Sequence, residues 1–206
     1  MKADLIHYAA EMDVLVNAAQ ADKLVAYLAL IVKWNRIHNL TAVRVPQDML
    51  THHLLDSLSV CPYIHASRLL DVGTGAGLPG LPLAIMYPEL QITLSDSNKK
   101  KSAFQQQAVI ELGLKNVSVV SGRVEDISTS QKFDGIVSRA FSEISLFINL
   151  TRHLLAQDGL WYAMKGLYPT QELANLPAGV QVAQVYDLNV PLLNGQRHLL
   201  LIKEDD

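Results

Sequence analysis

The sequence predicts an α/β fold, a mostly parallel sheet with helices on both faces, preceded by an N-terminal helical part. Three observations predict it. After residue 65, short apolar runs alternate with helical stretches, the sequence form of a parallel sheet covered by helices. The first run leads into a glycine-rich turn, Asp71-Val-Gly73-Thr-Gly75-Ala-Gly77-Leu-Pro-Gly80, and then into a helix. Before residue 65 the apolar residues recur at helical spacing instead. The chain is therefore expected to divide into a helical extension, 1–65, and a ligand-binding domain, 66–206.

Each element follows in order. Leu24, Tyr27, Leu28, Ile31 and Trp34 fall on one face of a helix, and Val25, Ala29 and Val32 widen that face, so this helix is expected to be buried on most sides. Asn39-Leu-Thr41 breaks the pattern. Pro46 suits the first turn of a second helix running to about Val60, with Pro62 beyond its end. The apolar runs then fall at 69–72, 91–95, 117–121, 134–138 and 159–164, and the helical stretches at about 80–87, 98–112 and 143–155. Two late runs, 180–188 and 197–203, bring the tally to seven strands. Pro191 and the turn dipeptide Asn194-Gly195 separate them, which predicts an antiparallel hairpin at a sheet edge.

The glycine turn sits where open α/β sheets bind small molecules, at the carboxyl end of a strand. Glycines there let the backbone turn sharply and approach a ligand. Gly75-Ala-Gly77-Leu-Pro-Gly80 also matches the dinucleotide fingerprint G-x-G-x-x-G. The acids weigh against a pyrophosphate. Asp71 enters the turn, Asp96 ends the next strand, and Glu125-Asp126 follow the third run. Asp96 suits a ribose diol in either reading. The others suit a cation, and S-adenosylmethionine carries an ammonium and a sulfonium. A dinucleotide site and a purely structural glycine turn stay as competing readings.

Composition supports one compact enzyme. The 206 residues are 50% hydrophobic and 18% charged, enough to bury a sizeable core. Cys61 is the single cysteine, so no internal disulfide forms and a reducing compartment is expected. Asp4, Glu11 and Asp13 interrupt any signal-like segment, and the longest apolar run, Leu24 to Val32, is too short to span a bilayer. A soluble, cytoplasmic monomer is expected, with no membrane partner. The net charge of −3 does not advertise nucleic-acid binding, which would have to come from local patches. The histidines show no metal-ligand spacing, so no metal site is expected.

Taken together, these residues resemble a family of class I S-adenosylmethionine-dependent methyltransferases, the bacterial small-subunit rRNA guanine-N7 methyltransferases (RsmG or GidB). The resemblance covers nearly the whole chain. It is carried by Trp34-Asn35 with Asn39-Leu40-Thr41, His53-Leu-Leu-Asp56-Ser57, Asp71-Val-Gly-Thr-Gly with Gly77-Leu-Pro-Gly80, Ser121 with Arg123-Val-Glu125, Ser138-Arg139-Ala140, Lys165-Gly166 and Arg197-His198-Leu199. It implies a Rossmann-like seven-stranded sheet, with the N-terminal extension on the substrate side. It implies that the Asp71–Gly77 turn, with Gly73, Gly75 and Leu78, serves the methionine end of the cofactor. Asp96 would meet the ribose, Val124 and Glu125 would flank the adenine, and Arg139 would close the pocket near the reacting end. The implied target is a guanine of 16S rRNA near the decoding site of the small ribosomal subunit. One departure is visible: the family usually has an arginine before the histidine of the His-x-x-Asp-Ser motif, and this chain has His52.

The chemistry agrees by elimination only. Methylation at a pyrimidine carbon-5 needs a cysteine nucleophile, and Cys61 lies in the helical part. Methylation of an exocyclic amine usually goes with an Asn/Asp-Pro-Pro-aromatic turn after the fourth strand, where this chain reads Ser138-Arg139-Ala140-Phe141. A ring nitrogen such as guanine N7 has an in-plane lone pair and no proton to lose, so positioning and water exclusion suffice. A non-enzyme would equally lack an acid–base pair. The rival readings are a methyltransferase of the same fold acting on a small molecule or protein, and a nucleotide-sensing module without turnover.

The remaining candidates have plainer explanations beside the functional ones. Lys99-Lys100-Lys101 open a helix, where cations are mildly unfavourable, so an RNA-phosphate contact competes with a solvated helix start. His53 and Asp56 share a helix face, which fits an internal hydrogen bond as well as an RNA contact. Tyr27 and Trp34 read as core rather than as a stacking platform. Arg139 ends a buried strand, where an unpaired charge is costly, and so reads as functional. Lys165 and Arg197 stand as possible substrate contacts.

Overall fold

The computed structural model describes residues 1–139, 141 and 143–205; Ala140, part of the Ser138-Arg139-Ala140 motif, lies outside them. Helices α1 (Lys2–Ala10) and α2 (Ala18–His38) open the chain. Asn17 caps α2 reciprocally: its side chain accepts from the Gln20 amide and its own amide donates to the Gln20 side chain, each at 2.9 Å. Asn39 ends α2 in the left-handed region, φ +46, which asparagine tolerates. The expected second helix is real but not uniform. It runs as α3 (Pro46–Met49), a π-helical segment (Leu50–Leu55) and α4 (Asp56–Leu58). It stops short of Val60, before a 3-10 turn over Cys61–Tyr63 that holds Pro62.

The α/β part follows the expected alternation: β1 (Arg68–Val72), α5 (Gly80–Met86), β2 (Gln91–Asp96), α6 (Lys99–Leu112), β3 (Val117–Ser121), β4 (Phe133–Ser138), α7 (Ile144–Thr151), β5 (Leu155–Lys165), α8 (Thr170–Leu173), β6 (Val180–Asp187) and β7 (His198–Glu204). The seven strands lie in the order β3-β2-β1-β4-β5-β7-β6. All neighbours are parallel except β7, which runs antiparallel between β5 and β6. Order reverses between β1 and β4, and the β1, β2 and β4 ends there form the topological switch at which such sheets bind ligands.

Two elements differ from expectation. The helical stretch 143–155 ends at Thr151, and a 3-10 turn (Arg152–Leu154) leads into a strand that begins at Leu155. The strand accommodates its early part with a bulge: Phe133 pairs with Leu155 but Gly135 with Leu160, and Asp158 takes φ +60. The late strands pair at the sheet edge as expected, but Asn194-Gly195 is not a two-residue turn. Leu188 and Val190 are buried, and the Leu188 amide donates to the Arg197 carbonyl at 2.8 Å, so residues 188–197 form a larger, anchored loop.

Both sheet faces are buried. Leu69 joins one core cluster and Leu70 the other, as strand alternation requires. The first cluster runs from Leu5, Leu24, Tyr27 and Leu54 of the N-terminal helices to Leu69, Phe104, Tyr162 and Leu199. The N-terminal helices thus form a layer on one face of the sheet. The second cluster packs Leu70, Ile136, Trp161 and Leu200 against Ile144, Phe147 and Ile148 of α7. No helix among the described residues is long and apolar enough to cross a membrane.

Candidate active site

The turn after β1 is held almost entirely by its own backbone and by buried side chains. The Gly73 and Thr74 amides donate to the Ser95 carbonyl, and those of Gly77 and Leu78 to the Thr74 carbonyl. The Gly75 amide donates to Asp96 Oδ2 at 2.8 Å and the Gly80 amide to Asp71 Oδ2 at 2.7 Å. Gln105 Nε2 donates to the Gly75 carbonyl at 2.8 Å, and the Tyr27 hydroxyl donates to that of Ala76. A pyrophosphate needs amides that point at it. Here six amides of the turn are already committed inside the protein, which disfavours the dinucleotide reading more strongly than the acids did.

The glycines serve different ends. Gly73, Gly75 and Gly77 all have positive φ, between +61 and +89. A Cβ on Gly75 would meet nothing nearer than Lys101 Nζ, at 4.0 Å, and on Gly73 nothing nearer than Phe141, at 3.8 Å. At those two a Cβ would reach ordinary contact distance and no clash, so it is their positive φ that calls for glycine. A Cβ on Gly77 would lie 2.4 Å from Leu81, and on Gly80 2.3 Å from Leu94, so these two are glycines for packing. Gly77 and the buried Leu78 pack within the turn.

Asp71 lies inside the turn. It is 0% exposed, and its Oδ2 accepts from the Thr74 hydroxyl and the Gly80 amide. Burial pushes its carboxyl up to about 7 against the pull of those hydrogen bonds. It shapes the turn and does not present a full negative charge. Its other oxygen, Oδ1, is buried without a partner, the one group it leaves for a ligand's ammonium.

Beyond the turn opens a cleft of about 450 Å³, walled by Gly73, Asp96, Val124, Glu125, Phe141 and neighbouring residues. Asp96 Oδ1 accepts from the Asn98 amide at 2.8 Å, which with Gly75 fixes both its oxygens and leaves lone pairs over for a diol. Glu125 pairs with Arg123 at 3.0 Å. An open glycine side, an acid at the second strand end and an apolar wall at Val124 fit S-adenosylmethionine.

A second cavity, about 430 Å³, has the opposite character. Its wall includes His53 and Asp56 from the N-terminal layer, Arg139 after β4, Lys165 at the end of β5, and Arg197 before β7. Asp56, 3% exposed, is the hub: Oδ2 accepts from Arg139 Nη1 at 3.0 Å and Oδ1 from Arg197 Nε at 2.8 Å. Arg139 Nη1 also donates to the His52 carbonyl at 2.8 Å. Lys165 Nζ pairs with Glu172 of α8 at 2.7 Å and donates to the Phe141 carbonyl at 3.1 Å. Phe141 walls the cleft, so Lys165 and Phe141 stand where the two spaces adjoin. His53 does not bond Asp56. Both its ring nitrogens are buried without partners, and burial, aided by Arg139, pulls it down to about 4, which keeps it neutral.

Comparison with known proteins agrees with this geometry. The family model described as GidB, rRNA small subunit methyltransferase G, matches residues 20–200. The chain belongs to this family. A relative named ribosomal RNA small subunit methyltransferase G from Methylobacillus flagellatus is 55% identical over 90% of this chain and 89% of its own. Another of that name, from Chromobacterium violaceum, is 52% identical over 96% of this chain and 95% of its own. Solved structures share the fold at low identity. TrmN from Thermus thermophilus has a TM-score of 0.58 at 15% identity, covering 75% of this chain and 53% of its own. The O-methyltransferase TomG from Streptomyces achromogenes, solved with SAM, has 0.56 at 18% identity, covering 87% and 90%.

In this GidB-family chain the expected site residues separate into groups. Gly73, Asp96, Val124 and Glu125 line the acidic cleft. Arg139 does not; its ion pair with Asp56 holds it in the cationic cavity beside His53, Lys165 and Arg197. Lys99 and Lys100 are exposed on the first turn of α6, outside both walls, with Lys101 half-buried beside Gly75. Sequence reasoning did not single out Gln105 or Thr74, and it gave Tyr27 to the core without its bond to Ala76. It placed Asp56 beside His53 but not at the centre of two arginines. The signal for that role was Asp56 within a helix that also carries buried leucines: a carboxylate in such a place needs a cation.

Proposed function

We propose that this chain methylates N7 of a guanine in the 16S rRNA of the small ribosomal subunit, as a cytoplasmic monomer, with S-adenosylmethionine in the acidic cleft and the base in the cationic cavity. The observation that carries the reading is the adjoining of two spaces of opposite character at the carboxyl edge of one sheet. One has a glycine turn with its amides committed and an acid at hand. The other has three cations, two of them on Asp56 and the third on Glu172. The relatives' names supply the rRNA and the small subunit.

S-adenosylmethionine, when bound, supplies an electrophilic methyl group. Gly73 and Gly75 would face it with backbone alone, Asp96 would accept from the ribose hydroxyls, and the unpartnered Asp71 Oδ1 would offer the ammonium an acceptor. On the acceptor side, Arg139 and Arg197 are held by Asp56 at fixed positions where they attract phosphate. Transfer to N7 moves positive charge onto the purine. A neutral His53 does not oppose that charge, and a group with a pKa of about 4 is a poor base at neutral pH. No proton has to leave guanine, so none is needed.

The test is transfer of labelled methyl to intact small subunits, naked rRNA and soluble protein, followed by digestion to nucleosides. Label should appear in 7-methylguanosine from RNA. Label in protein, or in another nucleoside, rejects the reading. An RNA with 7-deazaguanine at the target should accept none.

A further inference from the structure

The cationic cavity can hold phosphates, and the rings of His52 and His53 with Val43 and Met164 give one base a partly apolar wall. The N7 edge of guanine faces the deep, narrow major groove of an RNA helix, which side chains do not enter. RNA brought to this site must therefore present unstacked bases, and those bases need a replacement surface.

The residues that follow the cavity wall provide one. Lys165 and Gly166 line the cavity. Leu167 and Tyr168 come next and are 77% and 48% exposed. Neither packs into either hydrophobic core. The loop that carries them is braced on both sides. His198 Nδ1 hydrogen-bonds the Gly166 carbonyl at 2.8 Å, and the His198 ring meets the Tyr168 ring edge-on at 5.6 Å. On the other side Glu172 holds Lys165 and also accepts from the Ile144 amide. Single exposed apolar residues need no explanation. An adjacent pair on a braced loop, touching a cation-rich wall, is a different matter.

We propose that Leu167 and Tyr168 form a stacking surface for an unpaired base of the RNA, beside the base that reacts. The inference rests on the rRNA reading above. Charge favours RNA over a protein as occupant: Arg139, Lys165 and Arg197 stand there against Asp56 and Glu172, a local excess of cation on a chain whose net charge is −3. Stacking tolerates any base, so the loop positions the RNA and does not choose the sequence.

Steady-state methyl transfer to small ribosomal subunits tests it. Tyr168→Ala should lower kcat/KM by roughly ten- to a hundredfold, and Tyr168→Phe should restore most of it. Leu167→Ala should give a smaller loss in the same direction. S-adenosylmethionine affinity should be unchanged, which shows that the fold is intact. The salt dependence of kcat/KM should keep its slope, because no phosphate contact is lost. An unchanged Tyr168→Ala rate, or a flattened slope, overturns the proposal. Photocrosslinking from Tyr168→benzoylphenylalanine should label rRNA; label only in a ribosomal protein overturns it in favour of protein docking. If the unmodified enzyme transfers no methyl to subunits or rRNA, the rRNA reading itself fails; if it does and Tyr168→Ala equals it, only the stacking surface fails.

Discussion

The acidic cleft and the cationic cavity adjoin, yet they are built by different means. The cleft is assembled from successive strand ends and fixed by short backbone hydrogen bonds, with Asp96 only 21 residues from the Gly75 amide it accepts from. The cavity is assembled from opposite ends of the chain. Asp56 reaches arginines 83 and 141 residues away, and without it no hydrogen bond in the described structure joins the N-terminal layer to Arg197. A site held by local backbone geometry resists single side-chain changes. A site held by one carboxylate does not.

That difference is open to attack, and the largest effect is expected at the hub. Asp56→Ala leaves two partly buried guanidinium groups without their counter-charge. It should destabilise the protein by about 2–4 kcal/mol in urea unfolding, below the usual range for a fully buried pair because both arginines keep about a quarter of their side-chain surface. Methyl transfer should fall much further than S-adenosylmethionine affinity does. Equal losses of both would show that the two spaces are not separable.

Asp71→Asn probes the cleft through pH. The folded carboxyl sits at about 7 and an unfolded one near 4. Between those values the folded state binds the extra proton, so this group's contribution to stability falls as pH rises from about 4 to 7 and is flat above. The stability of Asp71→Asn relative to the parent should therefore improve from pH 5 to pH 8. A gap that does not vary with pH would mean that Asp71 is ionised in the fold throughout.

Tyr27→Phe removes one of several pins on the glycine turn. The expected cost is about 1 kcal/mol, with cofactor affinity in calorimetry changed by less than about tenfold because the amide bonds remain. A collapse of binding would mean that the backbone does not hold the turn unaided. The smallest structural effect is expected for Lys99→Ala, Lys100→Ala and Lys101→Ala combined. Stability and cofactor affinity should hold, while the log–log salt slope of RNA binding should flatten by up to roughly 0.7–0.9 per lost phosphate contact. An unchanged slope returns these lysines to the role of a solvated helix start.

The same contrast explains what was legible in the sequence. The seven apolar runs, the glycine turn and the acid at Asp96 are patterns within short windows, and the structure places them in the expected order. Asp71 was legible as an acid near the turn but not in its orientation, because the strand pleat sends it behind the turn toward Gly80. At Asp56 the need for a cation was legible, but not which cations would meet it. Nothing periodic links a helix residue to arginines before β7 and after β4, and only folding brings them together. The antiparallel edge pair β6–β7 was legible, but the length of the loop 188–197 between them was not, for a related reason. Asn194-Gly195 signals a tight turn locally, but burial of Leu188 and Val190 overrides it. The π-helical segment carries no sequence signal that we can name.

Strand order also has a consequence in time. β6 hydrogen-bonds to β7 alone, and β7 is the later of the two in the chain. A ribosome that has finished β6 has made an edge strand before its only partner exists. The N-terminal helices wait too, because α2 packs on α5 and α6, whose Phe104 meets Tyr27 and Trp34. At roughly 5–20 residues per second, their apolar face stays incompletely covered for several seconds during synthesis. The nascent chain therefore passes through a long interval in which a chaperone has something to hold.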